Sequence, residues 1–305
     1  MSQESNADTI TKPNKIWTVA WPSIGFLGCF ALLSTTIIAN DISHLTTLIK
    51  SFGHFLFLGV TGAVFANSTG AGGGVIFIPA FTHLGLSEAQ SVSTSFAIQC
   101  FGMTAGSLTW CWYYQKQHKL TSQWRSFIPL TLTGGFSAIA GLWTSYALTL
   151  PLPASLHVSF SLFSIFLGII IVYSSLKNQT TKDIQLNNLD LPVFFILGFL
   201  GGIMTSWLSV GVGELLVIYL MLRGFCAKMA IAVGVVVSAM TVWSASPVHL
   251  SPDSQTQFYI LLFAAPGAII GGLLARKLAL YLSVLKLKLF FSCWIILTGM
   301  AMLAN

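Results

Sequence analysis

Two glycine clusters hold the residues best placed to do chemistry: GAGGG at 70–74 and GVG at 211–213. Glycine inside a helix costs about 1 kcal/mol relative to alanine, so a cluster of them predicts an interrupted helix. At an interruption the backbone N–H groups lack helical partners, and the following helix presents the positive end of its dipole. Together these hold an anion without lysine or arginine. Asn67, Ser68 and Thr69 precede the amides of Gly72, Gly73 and Gly74; Ser206 and Ser209 precede those of Gly211 and Gly213. The apolar runs that follow add Ser95 and Gln99 in the first half, and Ser238, Thr241 and Trp243 in the second. These are the candidate solute-binding residues, with Gln99 and Trp243 in an outer layer. Small and hydroxylated residues also serve close helix packing in membranes, so the functional reading rests on clustering at two related places.

Glu214 is the candidate for coupling or gating, because an ionisable side chain deep in an apolar run is expensive and marks function by default. The alternative is a protonated or internally bonded glutamate that closes the local turn. His54, His83, His157 and His249 fall near the ends of apolar runs, where an amphipathic ring suits the interface. Cys29, Cys100, Cys111, Cys226 and Cys293 lie inside apolar runs without CxxC spacing and read as small buried apolar residues. No P-loop, HExxH, GxSxG or dinucleotide fingerprint occurs. We therefore expect no catalytic residue, cofactor or metal, and no ATP-driven step within the chain.

The elements that position these residues follow from composition. Of 305 residues, 55% are hydrophobic and 7% charged, against about 25% charged in soluble domains. Apolar runs of about twenty residues predict membrane-crossing helices, near 16–39, 52–86, 89–113, 125–148, 154–175, 192–224, 229–249, 256–275 and 285–304. Segments 52–86 and 192–224 are too long for one span and too short for two, and each contains a glycine cluster. Lys116, Lys119 and Arg125, Lys177 and Lys182, and Arg276, Lys277, Lys286 and Lys288 mark cytoplasmic loops, whereas loops 149–153 and 250–255 have no Lys or Arg. Segment 52–86 then enters and leaves from outside, and 192–224 from inside. An offset of 139 superposes Gly59 on Gly198, Gly62 on Gly201, Gly72 on Gly211, Gly74 on Gly213 and Gly85 on Gly224.

The expected fold is an all-α polytopic membrane protein with two inverted-topology repeats, each a Gly-broken hairpin plus three transmembrane helices, and one extra N-terminal helix. Its parts are a cytoplasmic tail (1–15), the added helix and outer loop (16–51), a first repeat (52–176), a cytoplasmic linker (177–191) and a second repeat (192–305). The net charge of +6 is dispersed over short loops and forms no nucleic-acid-binding stripe.

The residues that follow Gly59, VTGAVFANSTGAGGGVIFIPAFTHLGL, with SVSTS at 91–95, resemble the first repeat of the sulfite exporter TauE/SafE family. GFLGGIMTSWLSVGVGELLVIYLMLRG from Gly198 resembles its second. Gly70, Gly72, Gly73, Gly74 and Pro79 fit the pattern; the second half departs at Glu214 and at Ile218, which replaces the proline. The resemblance spans roughly residues 52–304. It implies a multi-pass permease of the bacterial cytoplasmic membrane that exports sulfur-containing anions such as sulfite or organosulfonates. Expected partners are a small anionic solute and the lipid bilayer, with protons the candidate coupling ion, a homodimer the candidate assembly and no nucleic acid. An anion channel, a carrier of another carboxylate-type anion and a membrane-embedded enzyme or assembly factor are the competing readings.

Overall fold

The computed structural model describes residues 45–176 and 186–304; the expected helix 16–39, the tail 1–15 and most of the linker 177–191 lie outside them. By its internal contacts the chain divides into a unit of residues 1–46 and one of residues 47–305. The described residues form helices and turns, with no strand among them.

Helix α1 (Leu45–Phe52) is followed by α2 (Phe55–Thr69), α3 (Gly74–His83), α4 (Glu88–Tyr113), α5 (Phe127–Ala147) and α6 (Leu156–Leu176). After the linker come α7 (Asp190–Leu208), α8 (Val212–Arg223), α9 (Ala227–Ser244), the short α10 (Ser246–His249), α11 (Phe258–Tyr281) and α12 (Val284–Leu303). Local chemistry fixes several ends. Ser87 and Gln90 close a capping box at the start of α4, satisfying two otherwise orphan N–H groups. Gly70, with φ 81°, ends α2 in the left-handed conformation, as Gly224, with φ 90°, ends α8.

Among the described residues five helices are long and apolar enough to cross a bilayer: α5, α6, α7, α9 and α11. The pair α1 and α2, bent by 44°, makes a sixth if counted as one span. Helix α4 has 26 residues but carries polar side chains along much of its length.

Packing follows a regular scheme. Helix α2 lies along α11, and α7 along α5; α4 contacts α11 and α9, α9 contacts α5, and α6 lies along α12. Glycines let these backbones approach closely, as small residues do in membrane bundles. A Cβ on Gly267 or Gly271 of α11 would strike the Leu56 or Val60 carbonyl of α2. One on Gly141 of α5 would strike the Phe199 carbonyl of α7, and one on Gly202 of α7 the Ala138 carbonyl of α5.

Candidate functional site

The segments between α2 and α3 and between α7 and α8 pass directly against one another. After α2 the chain turns through Gly70; after α7 it turns through Ser209, whose φ of 57° is also left-handed. A Cβ on Gly74 would collide with the Ser209 carbonyl, and one on Gly213 with the Gly70 carbonyl. Only glycine at both positions permits this approach.

Three backbone amides at the crossing donate to two buried side chains. Gly72 N–H donates to Glu214 Oε1 at 2.7 Å and Gly211 N–H to Glu214 Oε2 at 2.9 Å, so one carboxylate bridges both segments. Gly73 N–H donates to Gln99 Oε1 at 2.7 Å. Gln99 Nε2 in turn faces the Ser209 carbonyl at 3.0 Å, Ser209 Oγ at 2.8 Å and Ser95 Oγ at 3.1 Å. Ser209 Oγ donates to Ser95 Oγ at 2.9 Å, and Val212 N–H donates to Thr205 Oγ1 at 3.1 Å. Glu214 and Gln99 are 3% and 2% exposed, so these bonds form away from water, where a lost partner is costly.

The crossing thus gathers Gly72, Gly73, Gly74, Ser95, Gln99, Ser209, Gly211, Gly213 and Glu214, with the buried Ser238 beside Gly213. Ser238 Oγ has no hydrogen-bond partner among the described residues. Other candidates turn elsewhere. Asn67 donates to the Ala63 and Gly102 carbonyls and takes the Trp110 indole N–H on its own carbonyl, tying α2 to α4. Ser68 and Thr69 donate to the Phe65 carbonyl, while Thr69 Oγ1 also accepts from Ala71 N–H at 3.3 Å. Ser206 donates to Ser145 of α5 at 2.7 Å. Thr241 donates to the Val237 carbonyl, and the Trp243 indole to Thr104.

Thr205 and Lys288 escape sequence reasoning. Thr205 sits one turn before the end of α7, ordinary in sequence, yet it caps the first N–H of α8. Lys288, which reads in sequence as a marker of sidedness, lines a cavity of about 30 Å³ together with Thr69, Glu214, Ile218 and Met221. His249 is buried, not an interface anchor: its ring lies 3.0 Å from Ser93 Oγ and 2.9 Å from Tyr146 OH, stacked on Phe96. Among the cysteines Cys100 is buried, whereas Cys293 is exposed on α12, because that face of an apolar helix has no protein neighbour. Among the described residues no group of three or more His, Cys, Asp or Glu side chains is placed to hold a metal ion.

Long apolar helices around a buried polar crossing define a multi-pass α-helical membrane protein. The sulfite exporter TauE/SafE family model matches residues 55–302, most of the chain, and the chain belongs to that family of membrane transporters. Neither a curated protein nor a solved structure matches it.

Proposed function

We propose that the protein is a secondary transporter that exports small sulfur-containing anions, such as sulfite or an organosulfonate, by alternating access around the crossing of its two interrupted segments. The observation that carries this reading is the seat of Glu214. Backbone N–H groups from both segments converge on its two oxygens, which is the geometry an anionic solute needs in a membrane interior poor in Lys and Arg. Glu214 is the coupling residue: taking up a proton turns one of its two acceptor oxygens into a donor and weakens its hold on the Gly72 and Gly211 amides, and solute and carboxylate compete for them. Protons are accordingly the coupling ion.

The packing scheme supports two inverted repeats, 52–176 and 192–305. If α2, α3, α4, α5 and α6 correspond to α7, α8, α9, α11 and α12, the contact of α2 with α11 becomes that of α7 with α5. The contact of α4 with α11 likewise becomes that of α9 with α5, while α4 with α9 and α6 with α12 map onto themselves. A pseudo-two-fold axis through the crossing has this consequence. In that arrangement α2 with α3, and α7 with α8, are broken hairpins entered from opposite faces of a bacterial cytoplasmic membrane. The tail 1–15 is cytoplasmic, 16–39 is an added span, 177–191 is a cytoplasmic linker and the assembly is a homodimer.

Thermal stability of the purified protein, titrated with sulfite, sulfoacetate, taurine and a carboxylate of equal size, tests the substrate class. A ligand at a hundred times its Kd stabilises by about 2.7 kcal/mol, so a binding sulfur anion raises Tm visibly. Stabilisation by sulfite or a sulfonate above the carboxylate supports the proposal. Equal or greater stabilisation by the carboxylate favours a second reading, a carrier of carboxylate anions, which the Glu214 carboxylate in this same seat also suggests.

A further inference from the structure

The crossing is filled on one side and open on the other. Toward α4 and α9, Gln99, Ser95 and Ser209 bond one another. Toward α6 and α12, Glu214 and Thr69 border the cavity of about 30 Å³ that also holds Lys288, a half-buried cation on the first turns of α12. A second cavity, of about 380 Å³, lies along the same two helices; Thr82, His83, His157, Thr298 and Met302 line it. From Lys288 to Met302 the helix rises about 21 Å, at 1.5 Å per residue, so the cavities sit near opposite ends of α12.

The 139-residue offset relates their walls as well as the glycines: Pro79 and Thr82 of α3 in the larger cavity correspond to Ile218 and Met221 of α8 in the smaller. Between them runs a buried apolar layer that includes Val75, Ile78, Phe160, Phe163, Leu167 and Ile295. The smaller recess is mostly apolar, with Thr69, Glu214 and Lys288 as its polar members, and the larger carries Thr82, His83, His157 and Thr298. Two recesses separated by an apolar barrier, one at each end of a helix pair, have the form of two half-routes with the barrier closed.

We infer that the solute travels along the cleft between the helices that follow the crossing (α3, α8) and the pair α6 and α12, with Lys288 selecting anions at one mouth and His83 and His157 lining the other. This rests on the transporter reading above. Lys288 is the cation that borders the same small space as Glu214, so an anion released from the Gly72 and Gly211 amides meets it next. The apolar layer stops ions from leaking while the cleft is closed.

The test uses full-length protein in proteoliposomes with labelled sulfite. Lys288→Gln is expected to raise KM for sulfite about tenfold with kcat nearly unchanged, and Lys288→Arg to restore most of the loss. In parallel, a background with all five cysteines changed to serine receives Thr298→Cys in the larger cavity or Thr104→Cys on the α4 and α9 side. A small anionic methanethiosulfonate should block transport through the cysteine at 298, with sulfite protecting it, and spare transport through the one at 104. Parental KM in Lys288→Gln, or undiminished transport after complete modification at 298, overturns the route. No saturable sulfite transport by the parent protein overturns the transporter reading and the route together.

Discussion

Glu214 binds the two halves of the molecule through hydrogen bonds alone. Its oxygens accept from amides 142 positions apart in sequence and 3 apart respectively, at 2.7 and 2.9 Å. Glu214→Gln keeps the volume but offers one acceptor oxygen and two donors, so one amide loses its partner. Transport by this variant is expected to lose its dependence on a pH gradient while sulfite binding persists; unchanged gradient dependence contradicts the coupling role. Gln99→Leu would orphan the Gly73 N–H and remove the donor to Ser209. At about 1–3 kcal/mol for each buried polar group left unpaired, it should lower Tm in detergent by several degrees. The sequence marks Glu214 as unusual because charge in an apolar run is rare, but not its partner, since Gly72 is distant in the chain. Lys288 is legible only as a loop cation, because its neighbours come from α2, α6 and α8.

At the scale of elements, glycine sets where helices stop and how closely they cross. Gly74→Ala and Gly213→Ala each place a methyl against a backbone carbonyl of the other segment, which no side-chain rotation relieves. We expect each to destabilise by about 1–3 kcal/mol and to abolish transport. Gly85→Ala is the contrast: its φ of 78° is unfavourable for alanine, yet an added Cβ would meet nothing within 4 Å beyond its own chain neighbours. It should cost about 1 kcal/mol and leave transport intact, as uptake assays would show. Asp190, buried at the start of α7, accepts from Tyr219, from Arg223 at 2.7 and 2.9 Å and from Asn187 N–H. Asp190→Asn removes the charge that holds α8 against α7 and should lower stability by about 1 kcal/mol, Arg223 being partly exposed. Helix ends near 69 and 208 are legible because glycine's cost is local. The facing of hydroxyls is not: Asn67 and Ser206 precede the turns yet bond α4 and α5, since helical rotation turns successive side chains by about 100°.

For the molecule as a whole, composition alone makes an all-helical membrane protein legible, because only helices or a closed barrel satisfy the backbone in lipid and the runs lack strand alternation. The glycine-rich segments carry the family resemblance, and the match over 55–302 bears it out. The two cavities along α6 and α12 are invisible in sequence, being lined by helices drawn from both halves. If the crossing of the two segments binds and carries a small sulfur anion, proteoliposomes loaded with unlabelled sulfite show counterflow. Saturable uptake of labelled sulfite against its gradient is then expected, enhanced by a pH gradient in the parent protein and abolished by Gly74→Ala. Uptake that fails to saturate and shows no counterflow would make the protein a channel, and absence of uptake for sulfite and every sulfonate tried would rule out a sulfur-anion carrier.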